Sequence, residues 1–155
     1  MEIIEIKTLI DEFIFFIENG AKLLDDKDEN LLKLLDHLGL AQSFVTFTFD
    51  NTDYPEPPVL DQNKTRKMIE NSFPEYGYYN VPEHLTEKLE KTNVFLGDAI
   101  DDILDIYCEL KHVKWSFENT SVDDGLWLFQ FLYQSHWGQH LRSLQLYLYM
   151  ELYRK

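Results

Sequence analysis

"GDAIDDILDIYCELKH", residues 97–112, decides how this chain is read. At about 100° per residue, Leu96, Ile100, Ile103, Leu104, Tyr107 and Leu110 fall into one stripe. Asp98, Asp102, Asp105 and Glu109 fall roughly opposite. The segment is therefore an amphipathic helix, expected over about residues 94–117. Its acids point away from the evident apolar face, which predicts a row turned towards water.

The rest of the chain repeats the helical pattern. Ile3, Ile6, Ile10, Phe13 and Ile17 recur at helical intervals across residues 2–24, with Gly20 as the place where that helix ends or kinks. A second helix is expected from Asp28 through Leu31, Leu32, Leu35 and Leu38. "SFVTFTF" (43–49) alternates like a strand yet continues a helical pattern, and the helical reading is preferred. Pro55, Pro57 and Pro58 then halt regular structure. A short helix over 62–72 and the aromatic loop "FPEYGYYNVP" follow. After "TSVDD", where Ser121 and Asp124 have capping-box spacing, a last helix runs almost to Arg154 and Lys155. The expected fold is all-α. It is a compact single-domain bundle of four main helices, with N-terminal helices in 1–49, a Pro- and aromatic-rich connection in 50–82 and C-terminal helices in 83–155.

Composition narrows the function. The chain has 155 residues, 45% of them hydrophobic and 15% aromatic, enough for a core of its own. Its net charge is −14, from 28 acidic and 14 basic residues. A field of that sign opposes binding to nucleic acid and to anionic membranes. No run is long and apolar enough for a membrane span, and the N-terminal stretch lacks the basic start of a secretory signal, so the cytoplasm is the expected compartment. Cys108, the one cysteine, excludes an internal disulfide and a thiolate-only zinc site.

Two constellations carry chemistry. Asp101, Asp102 and Asp105 spell D-D-x-x-D, as in the magnesium-diphosphate motif of prenyl synthases, which needs a second acidic helix and a longer chain. In "SHWGQHL" (135–141), His136 and His140 stand four apart on one side of the last helix, a legitimate spacing for one ion. Zincins have a glutamate after the first histidine, and here that position is Trp137. Gly138 inside a helix costs on the order of 1 kcal/mol relative to alanine, which implies a close approach by a neighbour. The histidines read as a packed, hydrogen-bonded seam, with a divalent-metal site as the alternative.

"DYPEPP" (53–58), "FPEYGYYNV" (73–81), "GDAIDDILDIYCEL" (97–110) and "WLFQFLYQSHWGQHLRSL" (127–144), in that order, resemble the bacterial family catalogued as domain of unknown function 5063. The resemblance runs over about residues 28–150 and implies a compact, mainly helical domain with no assigned activity. It picks out Pro55, Pro58, Phe73, Pro74, Gly77, Tyr79, Asp102, Asp105, Tyr107, Trp137 and Gly138.

Two functions follow as expectations. The leading one is a non-enzymatic protein-interaction or regulatory module, monomeric or homodimeric, that uses no cofactor. It would contact a protein partner through Tyr76, Tyr78, Tyr79 and Trp137, since tyrosine and tryptophan favour interface hot spots. The other is a metal-binding protein or metal-dependent hydrolase holding a divalent ion with Asp101, Asp102, Asp105, His136 and His140.

Overall fold

A computed structural model describes residues 1–22 and 24–154. Leu23 in the expected first helix and Lys155 at the expected end of the last lie outside the described residues. The chain is mostly helical: α1 (Ile3–Phe15), α2 (Lys27–Ala41), α3 (Gln62–Ser72), α4 (Ala99–Asn119), α5 (Val122–Leu132) and α6 (Gly138–Tyr153). A two-stranded antiparallel sheet, β1 (Tyr78–Pro82) and β2 (Val94–Asp98), is added to them.

α4 is the central element. It packs against α1, α3, α5 and α6, while α2 closes the far side against α1 and α6. Residues on much of its circumference are therefore buried, from Ile100 and Ile103 to Val113 and Phe117. Leu31, Leu35 and Leu38 of α2 recur every three or four residues and are fully buried, as are Leu141, Leu144 and Leu148 of α6.

The sheet corrects the all-α expectation. β2 occupies residues read as the start of the long helix, which instead begins at Ala99. Val94, Phe95 and Leu96 suit a pleated strand, but only pairing with β1 decides it. The register sets Tyr79 opposite Gly97, and a Cβ added at Gly97 would lie 2.6 Å from the Tyr79 ring. Glycine there lets the ring lie across the sheet. Asp98 ends the strand and caps α4, its Oδ1 accepting from the amides of Ile100 at 3.0 Å and Asp101 at 3.4 Å.

The first helix ends in a π-helical turn, Phe16–Gly20, near the expected kink. α2 gives way at Gln42–Phe44 to a single 3₁₀ turn, and residues 45–50 form neither helix nor strand. They cross the bundle to the start of α5. There the Thr48 amide donates to Asp123 Oδ1 (3.1 Å), and Asp50 Oδ2 accepts from the Ser121 and Tyr54 hydroxyls (2.5 and 2.8 Å). The Ser121 and Tyr54 hydroxyls and Thr52 hold the Asp50 carboxyl well below the usual carboxylate range, the Ser121 bond most of all. Ser121 also caps α5, accepting from the Asp124 amide.

Leu35→Ala should destabilise the protein by about 2–5 kcal/mol in urea unfolding, because the cavity cannot collapse between α1 and α6. Leu40→Ala, on the exposed side of the same helix, should change stability by less than about 0.5 kcal/mol.

Candidate metal centre

The acidic row of α4 does not face water. α6 and the π-helical turn before it, Tyr133–Trp137, lie along that row. Asp102 is 5% exposed. The reason is the central position of α4: its apolar stripe packs on other helices, and its acidic stripe becomes a second, polar interface. The two histidines cover that interface from the opposite side.

The contacts are paired. His140 Nδ1 lies 2.8 Å from Asp102 Oδ1, and His136 Nδ1 lies 2.7 Å from Glu109 Oε1. A carboxylate facing Nδ1 places the ring proton there, and leaves Nε2 of the neutral imidazole with its lone pair. The two Nε2 atoms then face each other at 3.3 Å. Asp105 Oδ2 completes the cluster, 3.2 Å from His140 Nε2 and 4.0 Å from His136 Nε2. Asp105, His136 and His140 thus offer three donor atoms, all within 4.8 Å of one another. Bonds of about 2.0–2.1 Å put neighbouring ligand atoms of a tetrahedral ion roughly 3.3–3.4 Å apart. The observed edges bracket that spacing.

The surroundings tune these groups. The Asp102 contact, reinforced by the charge of Asp105, raises the His140 pKa above its ordinary value against the opposing effect of burial. Burial raises the Asp105 and Glu109 carboxyls. Tyr79 donates its hydroxyl to Asp102 Oδ2, so the hairpin reaches the cluster through one side chain. Burial and that bond push the phenol well up, and it stays a donor. Cys108 is pushed by burial up to about 11, which leaves a thiol and no thiolate ligand at neutral pH.

A profile of the family described as "Domain of unknown function (DUF5063)" matches residues 1–154. The chain belongs to the DUF5063 family. No curated protein matches it. Among solved structures, the chain is similar to protein BF1032 from Bacteroides fragilis, at 24% identity and a TM-score of 0.78. The match covers 98% of this chain and 92% of that one. The likeness shows a shared fold. Neither the family's description nor that protein's name states an activity.

Of the metal candidates read from the sequence of this DUF5063 domain, Asp105, His136 and His140 come together in one cluster. Asp102 supports His140 from behind. Asp101 turns aside, its Oδ1 accepting from Arg66 Nη1 at 3.2 Å. Glu109, absent from that candidate set, holds the second histidine; its place on the Asp98–Asp102–Asp105 stripe was the available signal. The interface anchors fare differently. Tyr76 is buried, its hydroxyl donating to Asp28 (2.8 Å), and Trp137 is fully buried between Phe129 and Tyr133. Neither is available at a surface. Tyr79 is turned to Asp102, and Tyr78 alone of the four is exposed.

Gly138 has a different role from the expected helix–helix approach. A Cβ there would lie 2.4 Å from the Tyr133 carbonyl oxygen of its own rod. The π-helical turn brings that carbonyl inward. Such turns are frequent at functional sites, and this one contains His136. Alanine in place of an ordinary helix glycine stabilises by about 1 kcal/mol. Gly138→Ala should have the opposite sign, with urea unfolding showing a loss of at least about 1 kcal/mol as the turn is forced to rearrange.

Proposed function

We propose that the domain binds one divalent transition-metal ion through Asp105 Oδ2, His136 Nε2 and His140 Nε2. One observation carries this reading: two imidazole Nε2 atoms and a carboxylate oxygen converge on one point, each imidazole held in that orientation by a carboxylate on its other nitrogen. Two lone pairs at 3.3 Å repel unless a cation or a proton lies between them. Carboxylate–histidine pairs of this kind orient ligands and raise their basicity in metal sites. Two imidazoles with one carboxylate suit zinc, iron, cobalt or nickel, whereas magnesium and calcium favour all-oxygen sets.

Two helices hold the ligands, and the hairpin holds Asp102. Binding therefore joins parts of the chain that are far apart in sequence, and it should raise global stability. Protons compete for Nε2, so affinity should fall as the pH is lowered through the histidine range.

Protein purified without an affinity tag, stripped with chelator and titrated with zinc should bind one equivalent by calorimetry. Its melting temperature should rise with zinc, cobalt or nickel and stay fixed with magnesium. At a hundredfold excess over Kd the gain corresponds to about 2.7 kcal/mol. His140→Ala should abolish both effects, and Asp102→Asn or Glu109→Gln should weaken affinity about 10–100-fold. A protein that takes up no metal and shows no thermal shift with any of these ions overturns the reading.

A further inference from the structure

Three protein atoms do not complete the coordination of a transition-metal ion, which takes at least four ligands. The neighbouring carboxylates are each engaged through at least one oxygen. Asp102 and Glu109 are on the Nδ1 atoms behind the histidines, and Asp101 is on Arg66. The cluster is also not closed off from solvent: the His136 side chain is 47% exposed, and those of Asp105 and His140 are 26% and 24% exposed. Solvent therefore reaches all three ligand-bearing side chains.

Charge limits what can enter. A divalent ion with Asp105 retains one positive charge, but Asp102 and Glu109 lie directly behind the imidazoles and bring two negative ones. The centre as a whole is anionic, on a helix face that also carries Asp98 and Asp101, in a chain of net charge −14. A phosphate group needs a cationic clamp beside the metal. The nearby guanidinium does not supply one. Arg66 is bound to Asp98 at 2.6 Å, to Asp101 at 3.2 Å and to Glu70 at 3.0 Å, an arrangement whose strongest contact, that with Asp98, holds its charge in place.

We infer that the metal centre keeps an exchangeable position on its solvent side, and that this position takes an uncharged oxygen or nitrogen donor and rejects phosphate esters. The inference rests on the metal reading and adds to it the class of ligand. Water fills the position at rest. An amide or ester carbonyl, or a neutral nitrogen base, replaces it by exchange. The D-D-x-x-D spelling of α4 therefore does not mark a diphosphate site, since Asp102 orients His140, Asp101 pairs with Arg66 and Asp105 alone faces the two Nε2 atoms.

Cobalt(II) in place of the native ion gives visible d–d bands that report the ligand sphere. Cobalt-loaded protein, freed of excess metal by gel filtration, is titrated with imidazole and, separately, with phenyl phosphate at equal concentrations. Imidazole should shift the bands along a saturable one-to-one curve while the cobalt stays with the protein through a second filtration. Phenyl phosphate should leave the spectrum unchanged. Cobalt bands that do not respond to imidazole, or cobalt lost to it, would show no exchangeable position; the inference fails and the metal site stands. A shift with phenyl phosphate as large as with imidazole overturns the stated ligand class. Protein that acquires no cobalt bands overturns both.

Discussion

A carboxylate taken out of water costs several kcal/mol unless its oxygens find donors, and Asp102 finds one for each. Oδ2 accepts from the Tyr79 hydroxyl of the hairpin and Oδ1 faces His140 Nδ1 of α6. Satisfying this one residue fixes three elements at once. The hairpin must lie where Tyr79 reaches α4, which requires the ring to cross Gly97. α6 must present His140 to α4, which turns Nε2 towards Asp105. Loss of either partner would leave a buried acceptor unmatched, at a cost of about 1–3 kcal/mol.

The same pairing explains why a polar seam runs through a helical bundle that could have been closed with leucine. Buried polar contacts are often neutral for stability compared with apolar packing. Here the polar set has an order that stability alone does not require. Each imidazole has one carboxylate behind it, and the two Nε2 atoms meet beside a third. Trp137 is buried between Phe129 and Tyr133, and His136 lies in the π-helical turn. The result is a polar cluster held on helices, the kind of support that a metal site needs.

Much of the architecture was legible in local signals. Apolar spacing marked α1, α2, α4 and the rod formed by α5 and α6. The 62–72 helix has the expected bounds, with Asp61 at its N-cap, and Pro55 to Pro58 lie in a stretch without regular structure, which begins earlier than expected, at residue 45. The hairpin was not legible, because neither strand is long or strongly alternating and each becomes a strand only by pairing with the other. The π-helical turns were not legible either. A wheel at a constant 100° per residue has no place for an inserted residue, so it set His136 and His140 beside the leucine stripe of the last helix and failed to set them opposite the acids.

By itself, the sequence determined that the chain is mainly helical, that it belongs with DUF5063 domains, and that one stripe of α4 carries Asp98, Asp102, Asp105 and Glu109 while His136 and His140 share a face four residues apart. These are consequences of a 3.6-residue period, which is local. What covers a stripe is not local. Tyr79 and Asp102 are 23 residues apart, and Asp102 and His140 are 38 apart. Only the tertiary packing of α4 at the centre of the bundle brought acids and imidazoles together. It turned a row expected to face solvent into the wall of a candidate metal centre, because a helix with neighbours on most sides has to bury its polar face as well as its apolar one.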